Sequence, residues 1–183
     1  MKMTMEIQTP LLGAKGSKRG VITKGGEDYL WKTTAQTKTP WQPSNLQEPE
    51  SNSLDFCFSP TSEIAEFVTQ VEEEVLAIVA GNPKVYLGVA SLDQDEIQCR
   101  FISSLKSSAR GAPNFKTRGR INGHLKLWDA DGQSMKDMTF ASDTRYQFVV
   151  RVSSIWVSEK GNFGVSFDLQ HLQVYQERCP FKT

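Results

Sequence analysis

The sequence predicts an α+β protein, mainly β: a small barrel with a helical layer inserted between its early and late strands. Three observations lead there. First, "IWVSEKGNFGVSFDLQHLQVYQ" at 155–176 holds two strand patterns around a Gly-containing turn. Phe163, Val165, Phe167 and Leu169 share one face there, but beyond Gln170 the apolar positions become Leu172 and Val174. A one-residue slip of this kind marks a bulge, and bulges bend strands around small barrels. Second, one strong helical repeat separates the early strands from the late ones. Third, 183 residues are enough for one domain with a substantial core.

Taken in order, residues 1–28 are rich in Gly, Lys and Thr, with "GAKGSKRG" at 13–20 and "KGGEDY" at 24–29. They read as a flexible basic arm with a turn, ahead of a single domain over 29–183. A strand is expected at 29–33 and an irregular Pro-containing loop at 39–53. "SLDFCFSP" alternates, placing Leu54, Phe56 and Phe58 on one face of a short strand. Ser59 and Pro60 then suit a helix cap and first helical position. Ile64, Phe67, Val68, Val71, Val75, Ile78 and Val79 recur at three- and four-residue steps, and Gly81 and Pro83 end the pattern. That stripe reads as core packing, and the acidic face opposite it as solvated surface. "NPKVYLG" links to a second helix, where Ser91 and Gln94 have capping-box spacing and Ile97, Phe101 and Leu105 form the buried edge. The helical insertion thus spans about 60–106. Strands follow at about 114–121 and 123–129, with a turn at "DADG", and then the strand 144–157.

Composition narrows the function. The three cysteines and two histidines are scattered, which suits free thiols in a reducing, intracellular compartment and neither a disulfide scaffold nor a metal site. No cofactor is expected. No apolar run is long enough for a membrane span, and "MKMTMEIQTP" lacks the apolar run of a secretory signal. The carboxylates show no pairing suited to acid–base catalysis, so a binding protein is expected rather than an enzyme.

A formal net charge of zero conceals segregation. Residues 39–96 hold one Lys against eleven acids, whereas 97–128 hold seven Lys/Arg and no acid. A polyanion responds to that local field. In a strand, Lys116, Arg118 and Arg120 project together at about 7 Å intervals, a ridge suited to phosphates or, on a plainer reading, a solubilising face. Lys106, Arg110 and Lys126 extend the series, and Arg151 lies on the polar side of 144–157. Aromatic rings stack on bases whatever their identity, and Trp31, Trp41, Phe115, Trp128 and Trp156 are the candidates. Trp128 and Trp156 end strands, where a core role is equally open, and Trp41 lies in a polar loop that can also plug a barrel end.

The same residues carry a resemblance. Trp128-Asp129 with Gly132, then Ile155-Trp156, then Phe163-Gly164-Val165-Ser166-Phe167 with Val174 resemble a family of viral single-stranded-DNA-binding proteins, of the short-tailed-phage replication type with relatives in nucleocytoplasmic large DNA viruses. Upstream, "FVTQVEEEVLAIVAGNPKVYLG" and "SLDQDEIQCRFISSLKSS" resemble that family's helical segments. The resemblance spans about 54–176. It implies a five-stranded OB-fold barrel that coats single-stranded DNA during replication or recombination, with Lys116, Arg118 and Lys126 on the binding face. The chain departs from the phage members at "QERCPFKT", which has Phe181 but no acidic run, so recruitment of replication proteins through such a tail is in doubt. An RNA-binding module, or a structural viral protein with a basic partner-binding surface, are the alternatives. Self-association is left open.

Overall fold

The computed structural model describes residues 4–13, 16–40, 42–43, 53–107, 113–120, 125–136 and 144–176. Trp41, Arg110, His124, Cys179 and Phe181 lie outside the described residues, as does most of the 39–53 loop. Among the described residues there are twelve strands and three helices. The strands are β1 (Met5–Ile7), β2 (Leu11–Leu12), β3 (Lys18–Lys24), β4 (Glu27–Lys32), β5 (Thr37–Lys38), β6 (Ser53–Phe58), β7 (Leu105–Ser107), β8 (Pro113–Arg120), β9 (Lys126–Trp128), β10 (Ser134–Met135), β11 (Arg145–Val157) and β12 (Phe163–Tyr175). The helices α1 (Ser62–Gly81), α2 (Pro83–Leu87) and α3 (Gln94–Arg100) all fall between β6 and β7. The protein is therefore mainly β, with a curled half-barrel sheet and a few helices. Several strands are two- or three-residue pieces, so their number exceeds the five expected.

The sheet runs β1-β3-β4-β11-β12-β8-β6. Its spine is the β11–β12 hairpin, closed at Ser158–Asn162, where Gly161 takes a left-handed φ of 80° that disfavours any side chain. The expected bulge is present. Val149 pairs with His171 and Val150 with Leu169, which leaves Gln170 as the extra residue. A second irregularity falls at Ser153 on β11. Because of the first bulge, Leu172 and Val174 stay in the core with Phe163, Phe167 and Leu169, while His171 and Gln173 join Ser166 and Asp168 on the outer face.

Helix α1 buries Ile64, Phe67, Val68, Val71, Val75 and Val79 against the inner face of the sheet. There the Phe67 ring stacks on Trp31 and meets Phe167 edge-on. At about 25 cal/mol per Å² of apolar surface, each such buried side chain contributes roughly 1.5–3 kcal/mol.

Five expectations change. Residues 1–28 are not simply an arm: β3 pairs with both β4 and β11, and Ile22 is buried. The helix cap is Thr61, whose Oγ1 accepts from the Ile64 N–H at 3.3 Å. Ser59 lies two residues too early, where its N–H donates to Lys38 O and its carbonyl accepts from Thr37 Oγ1. The second box is Asp93 with Glu96, bonded reciprocally at 2.7 and 3.0 Å; two carboxylates suit a helix N-terminus better than Ser91 and Gln94 do. That helix also stops at Arg100, so Phe101 and Leu105 reach the core from a bridge and a strand. The link at 82–88 holds the short helix α2, begun by Asn82 and Pro83.

Candidate nucleic-acid interface

β8 pairs antiparallel with β6 and, over two residues, parallel with β12. Strand alternation sends Phe115, Thr117 and Gly119 into the core and Lys116, Arg118 and Arg120 outward. On the outer face these cations meet Lys106 of β7 and Arg19 of β3. Together with Trp156 they line an open groove of about 320 Å³. Arg19 reaches it because it pairs with Trp156 across β3–β11.

The ridge is not free of acid. Asp55 of β6 lies opposite Arg118 and accepts from Arg118 Nε at 2.7 Å and Nη2 at 3.3 Å, with Lys116 Nζ 3.2 Å away. Burial pushes the Asp55 carboxyl up, but the bonds and charges of Arg118 and then Lys116 outweigh it, and the group titrates below its ordinary range. The carboxylate is 9% exposed while Lys116 and Arg118 remain 48% and 50% exposed. Asp55 therefore splints the two cations from beneath and leaves their outer edges to solvent. Arg19, Lys106 and Arg120 make no ion pair with a described residue.

One wall of the groove is the 102–104 segment. The buried Glu72 of α1 accepts from Ser104 N at 2.6 Å and Ser103 Oγ at 2.7 Å, and Ser104 Oγ donates to Val165 O at 3.1 Å. Burial raises the Glu72 carboxyl above its ordinary value despite those bonds. Beside it the lining includes Trp156, half-buried over Gly164. A Cβ on Gly164 would stand 2.8 Å from Trp156 Cζ2 and 2.6 Å from the Ile102 carbonyl, so only glycine lets the indole lie this close to the strand.

The outer face continues along β11–β12 to a second hollow, lined by Lys32, Trp128, Val149, His171 and Gln173 among others. Trp128 Nε1 donates to His171 Nδ1 at 3.1 Å, and the two rings lie 22° from parallel. Burial, and then the charge of Lys126, lower the His171 pKa, so its Nδ1 accepts. Between the two hollows Arg151 is tied to Asp168 at 3.3 Å and Asp28 at 3.6 Å.

The predicted residues thus divide. Lys106, Lys116, Arg118, Arg120 and Trp156 share the groove, and Lys126 and Trp128 stand at the second hollow, with Arg151 between. Phe115 is a correction: its ring is fully buried, edge-on to Phe167, and offers no face to a base. Trp31 lies on the inner side, its ring 4.1 Å from Phe67 and nearly parallel to it, away from both hollows. Trp41 and Arg110 are outside the described residues. Sequence reasoning missed Arg19, Lys32 and Asp55, and gave His171 no role. Among the described residues no group of three or more His, Cys, Asp and Glu is placed to hold a metal ion, and no helix is long and apolar enough to cross a membrane.

No protein-family model and no curated protein matches the sequence. Solved structures do match. The single-stranded DNA-binding protein of bacteriophage Enc34 is similar at 9% identity, both in complex with single-stranded DNA (99% of each chain, TM-score 0.48) and as a C-terminal truncation (100% of this chain and 96% of that one, TM-score 0.47). The single-stranded DNA-binding protein gp2.5 encoded by bacteriophage T7 is similar over 85% of this chain and 91% of its own, at 13% identity and a TM-score of 0.50. These neighbours are phage single-stranded-DNA-binding proteins, the kind of protein the scattered motifs resemble, and this chain has the fold of the T7 member.

Proposed function

We propose that this protein binds single-stranded DNA without reading its sequence closely, in viral DNA replication or recombination, and that it does no chemistry on the strand. The half-barrel is on this reading an OB-type barrel of five principal strands, with the helices of 62–100 as an insertion in it. The observation that carries the proposal is the outer groove, where Arg19, Lys106, Lys116, Arg118 and Arg120 converge beside the half-buried indole of Trp156. Cations spaced along strands neutralise successive phosphates, and an aromatic wall stacks a base of any identity. The fold shared with T7 gp2.5, a single-stranded-DNA-binding protein, supports the same reading.

The groove favours a flexible single strand over a duplex. Its cations follow one curved sheet face, and its ring needs an unpaired base to stack upon. Titration with oligo-dT, followed by tryptophan fluorescence and competed with duplex DNA and oligo-rU, tests this. Quenching by oligo-dT, with weak competition by duplex, is expected. Equal competition by duplex defeats the stacking component, and stronger competition by oligo-rU makes the polymer RNA.

A further inference from the structure

The second hollow has features the basic groove lacks. It measures about 320 Å³, at the low end for small-molecule sites, which suits one flat heterocycle. Its wall is the Trp128–His171 pair and its lining includes Val149. The hydrogen bonds around it define what remains on offer. Because His171 Nδ1 accepts from Trp128 Nε1, the imidazole is the tautomer that carries its proton on Nε2. That N–H has no partner among the described residues. Gln147 is tied at both ends of its amide, donating to Thr34 O and accepting from Tyr175 Oη. The Gln173 amide N–H donates to Asp129 and Ala130 carbonyls. Lys32 Nζ makes no ion pair with a described residue. The polar groups left on offer are thus two donors, His171 Nε2–H and the Lys32 ammonium, and one acceptor, Gln173 Oε1.

The hollow lies in line with the groove. Trp156 and Val149 are on the same outer face of β11, seven residues apart, about 23 Å at the usual rise. Arg151 and Asp168 stand between them, paired with each other. A strand leaving the groove along the hairpin arrives at Trp128 a few nucleotides later.

We infer that this hollow is a base-reading subsite, which stacks one nucleobase on Trp128 and His171 and prefers a carbonyl-bearing base, such as thymine, over adenine. The inference rests on the proposed single-strand binding. The acceptor–donor–acceptor edge of thymine (O4, N3–H, O2) matches two donors and one acceptor, whereas an adenine edge sets its amine beside a single ring-nitrogen acceptor and satisfies one donor fewer. One net hydrogen bond is worth roughly three- to ten-fold in affinity, so the subsite biases binding without dictating sequence.

The test compares the affinity ratio of oligo-dT to oligo-dA in the wild-type protein with that in His171→Phe, which keeps a flat ring but loses the N–H. The self-stacking of adenine divides out of this comparison. The ratio is expected to fall about three- to ten-fold, chiefly through weaker oligo-dT binding. Lys32→Met, at an exposed position, is expected to lower it in the same direction and serves if the histidine variant folds poorly. An unchanged ratio with both affinities reduced overturns the inference, because His171 is then only a wall. Unchanged affinities for both oligomers overturn it too, because the strand then bypasses the hollow. If the wild-type protein binds neither oligomer, the single-strand reading itself has failed, which is a separate and earlier result.

Discussion

Replacing Arg120 by Gln changes how steeply DNA binding depends on salt, and the size of that change follows from the groove. Arg19, Lys106 and Arg120 line it without an ion pair to a described residue, and Lys116 with Arg118 share the single Asp55 carboxylate, leaving a net charge of one. About four phosphates are therefore neutralised. For single strands the slope of log K against log salt is about −0.7 per phosphate, which gives about −2.8. Binding of oligo-dT should weaken about 50-fold between 50 and 200 mM salt. Arg120→Gln removes one cation, so the slope falls to about −2.1 and the same salt change costs only about 20-fold. Asp55→Asn shifts it the other way, to about −3.5, provided Arg118 keeps its place. Fluorescence titrations at four or five salt concentrations measure all three slopes. Lys84→Gln on α2, outside the groove, is the control. A slope unmoved by Arg120→Gln, or moved as much by Lys84→Gln, refutes the assignment of these cations to phosphates.

Other outcomes follow from the groove walls. Trp156→Ala should cost about 1–3 kcal/mol of oligo-dT affinity and remove the part of the fluorescence change that does not come from Trp128. Gly164→Ala should act on the same indole from below: the added methyl meets Trp156 and a backbone carbonyl, so a stability loss of about 1–3 kcal/mol and a shifted emission maximum are expected, both read in a urea titration. Glu72 titrates above its ordinary value near 4.5 when folded. A carboxyl raised on folding stabilises while protonated, and that contribution is lost as pH rises through the folded value. The urea midpoint of the wild type relative to Glu72→Gln, which keeps an oxygen for the Ser104 N–H and an amide N–H for Ser103 Oγ, should therefore fall from acid toward neutral pH, while the Asp55 carboxyl, held low, contributes with the opposite sign in both proteins. Glu72→Ala instead leaves the Ser104 N–H unpaired and should cost about 1–3 kcal/mol at neutral pH.

How far the molecule was legible in its sequence depends on how local the signal was. The long helix, the final hairpin and its bulge are written in residue spacing, and each forms where it was expected. Alternation also carried more than was taken from it: if Lys116, Arg118 and Arg120 face outward, Phe115 must face inward, as it does. Asp55 was out of reach for a different reason. It sits 63 residues before Arg118 in an acidic block, and only the pairing of β6 with β8 sets it beneath the ridge. Arg19 depends likewise on β3 joining β11 across more than 130 residues. The glycines and lysines of the first 28 residues suggest mobility because composition does not record a distant hydrogen-bonding partner. His171 looked ordinary because its significance lies in which nitrogen is occupied, and that needs Trp128 in place.

Gln170 shows that a position can matter where its side chain does not. The residue is half-exposed and occupies the register gap between Leu169 and His171, so Gln170→Ala should leave soluble yield and thermal midpoint nearly unchanged. Deleting it should keep the faces as they are, because Leu169 and His171 would then alternate regularly with Leu172 and Val174 still in the core; what is lost is the local bend that the bulge gives the sheet. Such a site holds curvature rather than chemistry: evolution is free to respell this residue, and omitting it would straighten the strand without turning it over.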